Sequence, residues 1–270
     1  MPNESEFRRW NDEQTVATWP KRERFTDRVL PHVVAALQPR PGERVVDIGS
    51  GGGKLTLEVA RAVAPGGSVV GADISAGMAA LAAGRATEAG AANVRFVVGD
   101  MQEASLDGGP FDAAVSQFGV MFFSEPVAAF ANIRRHLRPG GRITFACWQP
   151  ASRNSWFPGP VLAPFAPPPA PRPPGKSPTG PFALADPRRT RRMLAEACFT
   201  AITRTPKRVI AWTPEDSVAD ESQLVVSGVP RERAAEALAA LRRHFARFPR
   251  RGDGLCRFEL CFQVFRAVNP

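Results

Sequence analysis

The chain of 270 residues has no tyrosine, three histidines and four cysteines. The cysteines are Cys147, Cys198, Cys256 and Cys261, and they form no CxxC pair and no cluster with histidine. The sequence therefore predicts neither a structural metal nor a disulfide framework. We expect the thiols to be reduced and mostly buried, as in a cytoplasmic protein.

Long apolar runs are missing as well. No stretch approaches the roughly 18 uninterrupted apolar residues that a membrane-spanning helix needs. The N-terminus, MPNESEFRRWNDEQ, is too polar for a signal or transit peptide. Hydrophobic residues make up 44% of the chain, which suffices for the core of one large domain, with or without a small cap. We expect a soluble protein with no membrane span.

Lysine is scarce, since only 4 of the 35 basic residues are lysine. The net charge of +9 lies entirely in residues 151–270, with 19 basic and 10 acidic side chains, whereas residues 1–150 carry 16 of each. An arginine-rich, lysine-poor composition is typical of proteins encoded by GC-rich genes, so the excess of positive charge indicates a solvated surface. An anionic substrate, a membrane or a nucleic acid remains the alternative.

Residues 43–149 alternate between β-like and helical patterns with short turns. Apolar, Val/Ile/Phe-rich segments at 43–49, 68–74, 93–100, 111–118 and 142–149 are typical of strands buried on both faces. Helical patterns occupy 55–63, 76–89 and 126–137. This alternation predicts a parallel sheet with helices on both sides.

The composition changes after Trp148. Residues 158–187 hold 12 prolines, and Asp186-Pro187 then predicts the start of a helix that reaches Cys198. Further patterns are β-like at 201–212 and 255–268, and helical at 215–227 and 230–247. We expect an α/β fold: a seven-stranded doubly wound, Rossmann-like sheet with the two late strands as an antiparallel edge pair. The core would consist of residues 31–150, completed by residues 186–270. A mostly helical lid or cap on it would be formed by segments 1–30, 151–185 and 213–254.

A glycine-rich turn follows the first predicted strand, in the stretch Val45–Gly53 (VVDIGSGGG). Such a turn lets backbone N–H groups approach a ligand without interference from a Cβ atom. The dinucleotide pattern GxGxxG fails because Lys54 stands where the third glycine is needed. The P-loop pattern fails too, since position 48 is not glycine and position 55 is not serine or threonine. The pattern that fits is Asp-x-Gly-x-Gly-x-Gly.

This stretch resembles motif I of the class I S-adenosylmethionine (SAM)-dependent methyltransferases, and three later strand ends extend the resemblance. These are Gly71-Ala72-Asp73, Gly99-Asp100-Met101 and Ser116-Gln117-Phe118-Gly119, followed by the turn Leu137–Arg142. The closest resemblance is to the ubiquinone/menaquinone-biosynthesis-like (UbiE-like, type 11) methyltransferases, over about residues 10–150. Ligands of doubly wound sheets bind at such strand ends.

The resemblance implies a role for each motif residue. Asp47 would support the amino group of the cofactor, Asp73 would bind both ribose hydroxyls, and Asp100 would bind the adenine. The full set expected to bind SAM, or its product S-adenosylhomocysteine, is Asp47, Gly49, Ser50, Gly51, Gly53, Asp73, Ile74, Met78, Asp100, Met101 and Gln117. Turn capping or core packing is the alternative role for each side chain.

The resemblance also extends to aromatic residues outside the core. Trp10, Asn11 and Trp19 match an N-terminal segment that folds over the cofactor in this family, although Arg9 stands where the family often has an aromatic residue. Trp148, Trp156 and Phe157 would line an acceptor pocket or pack between the sheet and the cap.

Catalysis leaves less trace in the sequence. We assign no catalytic base among the three histidines, His32, His136 and His244. Transfer of an activated methyl group depends mainly on alignment of the acceptor with that group. The strand-four motif lacks Asn/Asp-Pro-Pro-Tyr and a nucleophilic cysteine, which argues against methylation of adenine amino groups and cytosine C5.

The resemblance thus implies SAM-dependent methyl transfer to O, C or N of a small organic acceptor, by a monomer or homodimer for which nucleic acid is not an expected partner. The alternative is a non-catalytic SAM-binding or nucleic-acid-associated protein that uses the basic C-terminal half.

The arginines at 188–192 separate these possibilities. Reversing the charge of Arg188, Arg191 and Arg192 should leave methyl transfer to a small acceptor within roughly threefold, a change of about 0.65 kcal/mol in the barrier. Steady-state kinetics at two salt concentrations would measure this. A loss of a hundredfold or more that low salt rescues would indicate an anionic substrate, because polyanion binding weakens steeply with salt.

Overall fold

A computed structural model describes residues 3–168, 177–219, 224 and 227–270 of the chain. The strands are β1 (Arg44–Ile48), β2 (Ser68–Asp73), β3 (Val94–Val98), β4 (Phe111–Gln117), β5 (Leu137–Trp148), β6 (Thr200–Thr213) and β7 (Cys256–Val268). They form one sheet in the order β3-β2-β1-β4-β5-β7-β6, in which β1 to β5 are parallel and β7 runs antiparallel to both β5 and β6. The predicted α/β fold with an antiparallel edge pair is confirmed.

Nine α-helices lie within the described ranges. They are α1 (Glu4–Trp10), α2 (Glu13–Thr26), α3 (Leu30–Leu37), α4 (Lys54–Val63), α5 (Ala76–Glu88), α6 (Pro126–His136), α7 (Gly159–Leu162), α8 (Pro187–Glu196) and α9 (Ala234–Phe245). Short 3-10 turns occupy Val120–Phe122, Ala151–Arg153, Glu215–Ser217 and Arg231–Arg233. Within these ranges every helix is too short or too polar to cross a membrane.

The core forms where the central strands meet the helices. Every residue of β1 after Arg44 is buried, and the side chains of β4 are buried from Ala113 to Ser116. Helix α3 packs on β4, β5 and β7, while α4 and α5 pack on β1, β2 and β3. Small and β-branched side chains suit this position because both faces of a parallel sheet must be covered.

Two local predictions differ from the structure. β5 begins at Leu137, five residues before the predicted start, because Leu137 pairs with Phe111 of β4 ahead of a register shift. Asn269 then pairs with the Pro-Gly-Gly turn: Gly140 N–H donates to Asn269 O and Asn269 N–H donates to Gly141 O, both at 2.8 Å. Of the helix predicted at 215–227, Glu215–Ser217 form a 3-10 turn and Leu224 is helical. Residues 220–223, 225 and 226 of that prediction lie outside the described residues.

The turns that follow β1 and β4 lie close together at their backbones. A Cβ atom on Gly119 would lie 2.5 Å from the Ile48 carbonyl oxygen and 2.8 Å from Gly49 Cα. The Ser116 hydroxyl fixes the approach, since it donates to Ile48 O at 2.7 Å and accepts from Gly119 N–H at 3.2 Å. Only glycine fits at position 119 without a shift of the backbone.

Gly119→Ala should therefore destabilise the protein by about 1–3 kcal/mol, because the clashing atoms are backbone atoms that cannot rotate away. Gly84→Ala is the matched control. Gly84 lies inside α5 with open space around its Cα, so alanine there should stabilise the helix by up to ~1 kcal/mol. Thermal unfolding measures both variants. Equal melting temperatures for the two would contradict the assigned contact.

Candidate functional site

One cavity opens at the carboxyl ends of the parallel strands. Ten of the eleven residues expected to bind the cofactor line it: Asp47, Gly49, Ser50, Gly51, Asp73, Ile74, Met78, Asp100, Met101 and Gln117. Gly53 does not line the cavity. Its φ of 82° turns the chain into α4, and a Cβ atom there would lie 2.9 Å from Ala82 Cβ, so its role in the structure is packing between α4 and α5.

Asp47 lies at the bottom of this cavity and is 1% exposed. Its Oδ2 accepts a 2.7 Å hydrogen bond from the Thr56 hydroxyl of α4, whereas its Oδ1 has no partner among the described residues. Burial, together with a smaller contribution from repulsion by Asp73, raises the pKa of Asp47 to about 7. The carboxyl group is therefore suited to a cationic or hydrogen-bond-donating ligand group.

Asp73 binds the glycine-rich turn to the end of β2. Its Oδ2 accepts from Gly51 N–H at 2.8 Å and its Oδ1 accepts from Ser75 N–H at 2.9 Å. Burial raises the pKa of Asp73, and these backbone donors oppose that shift. The carboxylate that is expected to bind the ribose thus also shapes the turn, because each of its oxygens keeps a second lone pair for a ligand.

The strand ends of β3 and β4 complete this edge. The Asp100 carboxylate accepts from the backbone N–H and the side-chain amide of Gln102, both at 3.0 Å. Met78 and Met101 are buried beside it, at 1% and 3% exposure. Gln117 keeps a buried Oε1 with no partner among the described residues, while its amide nitrogen lies 3.4 Å from Thr26 O in α2.

Helix α2 covers the glycine-rich turn. The Trp19 indole lies so close that a Cβ atom on Gly51 would be 2.7 Å from its Cζ2 atom. Asn11, just before α2, donates to Ile74 O at 3.2 Å and accepts from Ala76 N–H at 3.1 Å. The N-terminal segment therefore lies over the edge of the sheet where the cofactor is expected to bind, as the resemblance implied.

Ion pairs hold α2 in this position. Arg85 Nη1 of α5 donates to Glu23 Oε2 at 2.8 Å and to Gly52 O at 2.7 Å. Lys54 Nζ donates to both oxygens of Asp27, at 2.8 and 2.9 Å. The sequence analysis did not single out these pairs, because their partners lie far apart in the chain and only the docking of α2 brings them together.

The cavity holds buried polar atoms that have no partner among the described residues. They are Asn3 Oδ1, Arg9 Nε, Trp19 Nε1, Asp47 Oδ1, Ser50 Oγ and Gln117 Oε1. Buried polar atoms normally have a hydrogen-bond partner, so a set of donors and acceptors in one cavity indicates a polar ligand. The ammonium, carboxylate and hydroxyl groups of SAM match this chemistry, and the residues present therefore fit the cofactor.

The three histidines do not line the cavity. His136 has a structural role, because its Nε2 accepts from Leu106 N–H at 3.0 Å and its Nδ1 lies 2.9 Å from Asn132 O. Burial lowers the pKa values of His32 and His244. Trp148, Trp156 and Phe157 do line the cavity, together with Phe25 and Phe118.

A profile of the methyltransferase domain family matches residues 45–141, which include β1 to β4, α4, α5, α6 and the glycine-rich turn. This part of the chain is therefore similar to methyltransferase domains. The resemblance drawn from the motifs is confirmed, and SAM is the cofactor of this family.

Two curated relatives align with part of the chain. Nocamycin O-methyltransferase from Saccharothrix syringae is 35% identical over 126 residues, which are 46% of this chain and 45% of that protein. Demethylmenaquinone methyltransferase from Corynebacterium kroppenstedtii is 41% identical over 108 residues, 40% of this chain and 43% of that protein. The chain thus aligns with less than half the length of both relatives.

A solved structure shows the same fold over more of the chain. The YcgJ protein from Bacillus subtilis superposes with a TM-score of 0.58 at 18% identity, and the superposition covers 89% of this chain and 97% of that one. At this identity the superposition shows only that the two proteins share a fold.

The raised pKa of Asp47 predicts proton release when the cofactor site is filled. Folding binds a proton between the unfolded pKa of 3.8 and the folded value of about 7, so stability falls as pH rises through this window. A ligand ammonium beside Asp47 favours the ionised carboxylate, so binding of S-adenosylhomocysteine near pH 6.5 should release a fraction of a proton. Calorimetry in buffers of different ionisation enthalpy measures it.

Asp47→Asn is the control for this release, because the amide oxygen still accepts from Thr56 but cannot ionise. The variant should bind without releasing the proton. Equal proton release by the variant and the wild type would exclude Asp47 as the source.

Proposed function

We propose that the protein transfers a methyl group from SAM to an oxygen, carbon or nitrogen atom of a small organic acceptor. The observation that carries this proposal is the set of unpartnered polar atoms around Asp47 and Asp73, in a cavity of a methyltransferase domain. The names of the two curated relatives, which act on small molecules, support the acceptor class.

The chain's own residues have defined tasks in this reaction. Asp47 would bind the ammonium group, Asp73 the ribose hydroxyls, and Asp100 with Met78 and Met101 the adenine. When bound, SAM supplies an electrophilic methyl group on a positively charged sulfur. Helix α2 and Trp19 would exclude water from that group, and Gln117 Oε1 would accept a hydrogen bond from the acceptor. Alignment of the acceptor then accounts for much of the rate.

The alternative, a non-catalytic SAM-binding or nucleic-acid-associated protein, has no support from the comparisons, because the matched family and the two curated relatives described above are methyltransferases. Several arginines of the basic C-terminal half are also engaged within the chain. Arg189 donates to Ser177 Oγ and Ala183 O, Arg250 pairs with Glu215, and Arg251 pairs with Asp253. These contacts favour a structural role for this charge.

The finer assignments are part of the same proposal. We assign residues 1–30 to the lid, 31–150 to the SAM-binding core, 151–185 to a Pro-rich lid or linker, and 186–270 to the remaining strands with a cap at 213–254. Four free cysteines, three of them buried, support a cytoplasmic protein. A monomer or a homodimer is proposed as the oligomeric state.

Asp73→Ala tests the cofactor assignment. The change removes two hydrogen bonds to the ribose and also releases Gly51 N–H, so SAM affinity should fall by about 2–4 kcal/mol. Asp107→Ala, at an exposed aspartate, is the control and should leave affinity unchanged. Calorimetry measures binding, and release of S-adenosylhomocysteine with a metabolite library measures turnover. Tighter binding of NADH than of SAM would refute the proposed function.

A further inference from the structure

Nine aromatic side chains line the same cavity as the residues expected to bind the cofactor, and five of them form a connected group of rings. These five, which we call the aromatic compartment, are Phe25, Phe118, Trp148, Trp156 and Phe157. Their rings contact one another in a series: Phe118 stacks on Trp148 with centroids 4.0 Å apart, Trp148 lies 4.8 Å from Trp156, and Trp156 lies 5.4 Å from Phe25 and 6.1 Å from Phe157. The wall they form consists mainly of ring faces and edges.

The backbone holds the Phe118 ring in place at a conformational cost. Phe118 directly follows β4 and adopts a left-handed φ of 67°, which non-glycine residues rarely adopt. Its N–H donates to Ala146 O of β5 at 3.1 Å, so the strained conformation is fixed from the neighbouring strand. Strained residues of this kind tend to cluster at ligand-binding sites.

Trp156 is held by a polar side chain outside the cavity wall. Its indole N–H donates to Asn154 Oδ1 at 2.9 Å. Asn154 in turn accepts from Cys261 N–H at 2.9 Å and donates to Cys261 O at 3.0 Å, which anchors it to β7. The one polar atom of the indole is thus satisfied within the protein, and what Trp156 offers to a ligand is its flat apolar surface.

The charged side chains beside this wall are already paired. Lys54 is bonded to Asp27, and Glu23 is bonded to Arg85. Glu6 and Arg9 lie 3.7 Å apart at their closest atoms, and Arg22 also takes part in an interaction. Gln117 lines the same cavity, and its Oε1 is a neutral acceptor with no partner among the described residues.

From these contacts, and resting on the proposed function, we propose that the methyl acceptor is a flat, conjugated ring system that stacks on Trp156 in the aromatic compartment. Trp156 is the specificity-determining residue, because aromatic rings gain affinity from offset or edge-to-face contact that a puckered saturated ring cannot match. A small aliphatic amine would leave the ring faces uncovered.

The methyl transfer needs no reactant other than SAM and the acceptor. A lone pair or π-electron pair of the acceptor forms the new bond to the methyl carbon while the carbon–sulfur bond breaks. The electrons of that bond return to sulfur, which yields S-adenosylhomocysteine. Any proton that the acceptor atom carried leaves to solvent.

The experiment compares matched flat and saturated ligands. 2-Naphthoate and decahydro-2-naphthoate carry the same carboxylate on rings of the same carbon count, so flatness is the main difference. Their dissociation constants are measured by calorimetry on wild-type protein saturated with S-adenosylhomocysteine. We expect the flat ligand to bind at least tenfold more tightly.

The variants attribute this preference to Trp156. Trp156→Leu keeps apolar bulk but loses the flat face, and it should reduce the preference to within twofold. Trp156→Phe should retain most of it. Trp212→Leu, at a tryptophan of β6 that does not line the cavity, is the matched control and should leave the preference unchanged.

The outcomes separate this inference from the proposed function. Equal affinity of the wild type for the two ligands, or no binding of either, would overturn the flat acceptor. An unchanged preference in Trp156→Leu would overturn the role of Trp156. Binding of S-adenosylhomocysteine alone to the wild type is measured first, and its failure would refute the proposed function instead.

Discussion

The contact between the backbones of Gly49 and Gly119 sets the geometry on which the rest of the site depends. The order of the strands reverses between β1 and β4. A side chain on either glycine would push the two turns apart, since a Cβ on Gly49 would lie 2.7 Å from Gly119 Cα. The approach is fixed by Ser116, which bonds to both turns. It also forces strain on Phe118, whose left-handed backbone turns the chain from β4 into Gly119.

Two carboxyl groups are buried at this edge of the sheet. Asp47 lies one residue before the end of β1 and Asp73 ends the neighbouring β2, and burial raises the pKa of each because a charge is costly away from water. Hydrogen bonds from Thr56, Gly51 and Ser75 offset part of that cost. The unpartnered Asp47 Oδ1 shows that the protein alone does not offset all of it, and a ligand with donor groups would supply the rest.

Sequence reasoning succeeded where the chemistry is local. The glycines of the turn and the acids at strand ends follow from residue patterns within single elements. It failed where distant parts of the chain meet. The pairing of Glu23 with Arg85 spans 62 residues and exists only because α2 docks on the turn. β5 starts early because Leu137 pairs with Phe111 of β4, and Asn269, near the far end of the chain, pairs with the Pro-Gly-Gly turn that follows. The aromatic compartment likewise combines residues from four separate segments.

The central claim is that the strand ends, the glycine-rich turn and α2 together form one SAM site. A crystal structure of the protein with S-adenosylhomocysteine tests it most directly. The predicted result is a ligand whose ribose hydroxyls bond to Asp73, whose ammonium lies against Asp47 Oδ1 and which α2 covers. A ligand bound elsewhere, or one whose ribose and ammonium groups contact neither carboxylate, would contradict the claim.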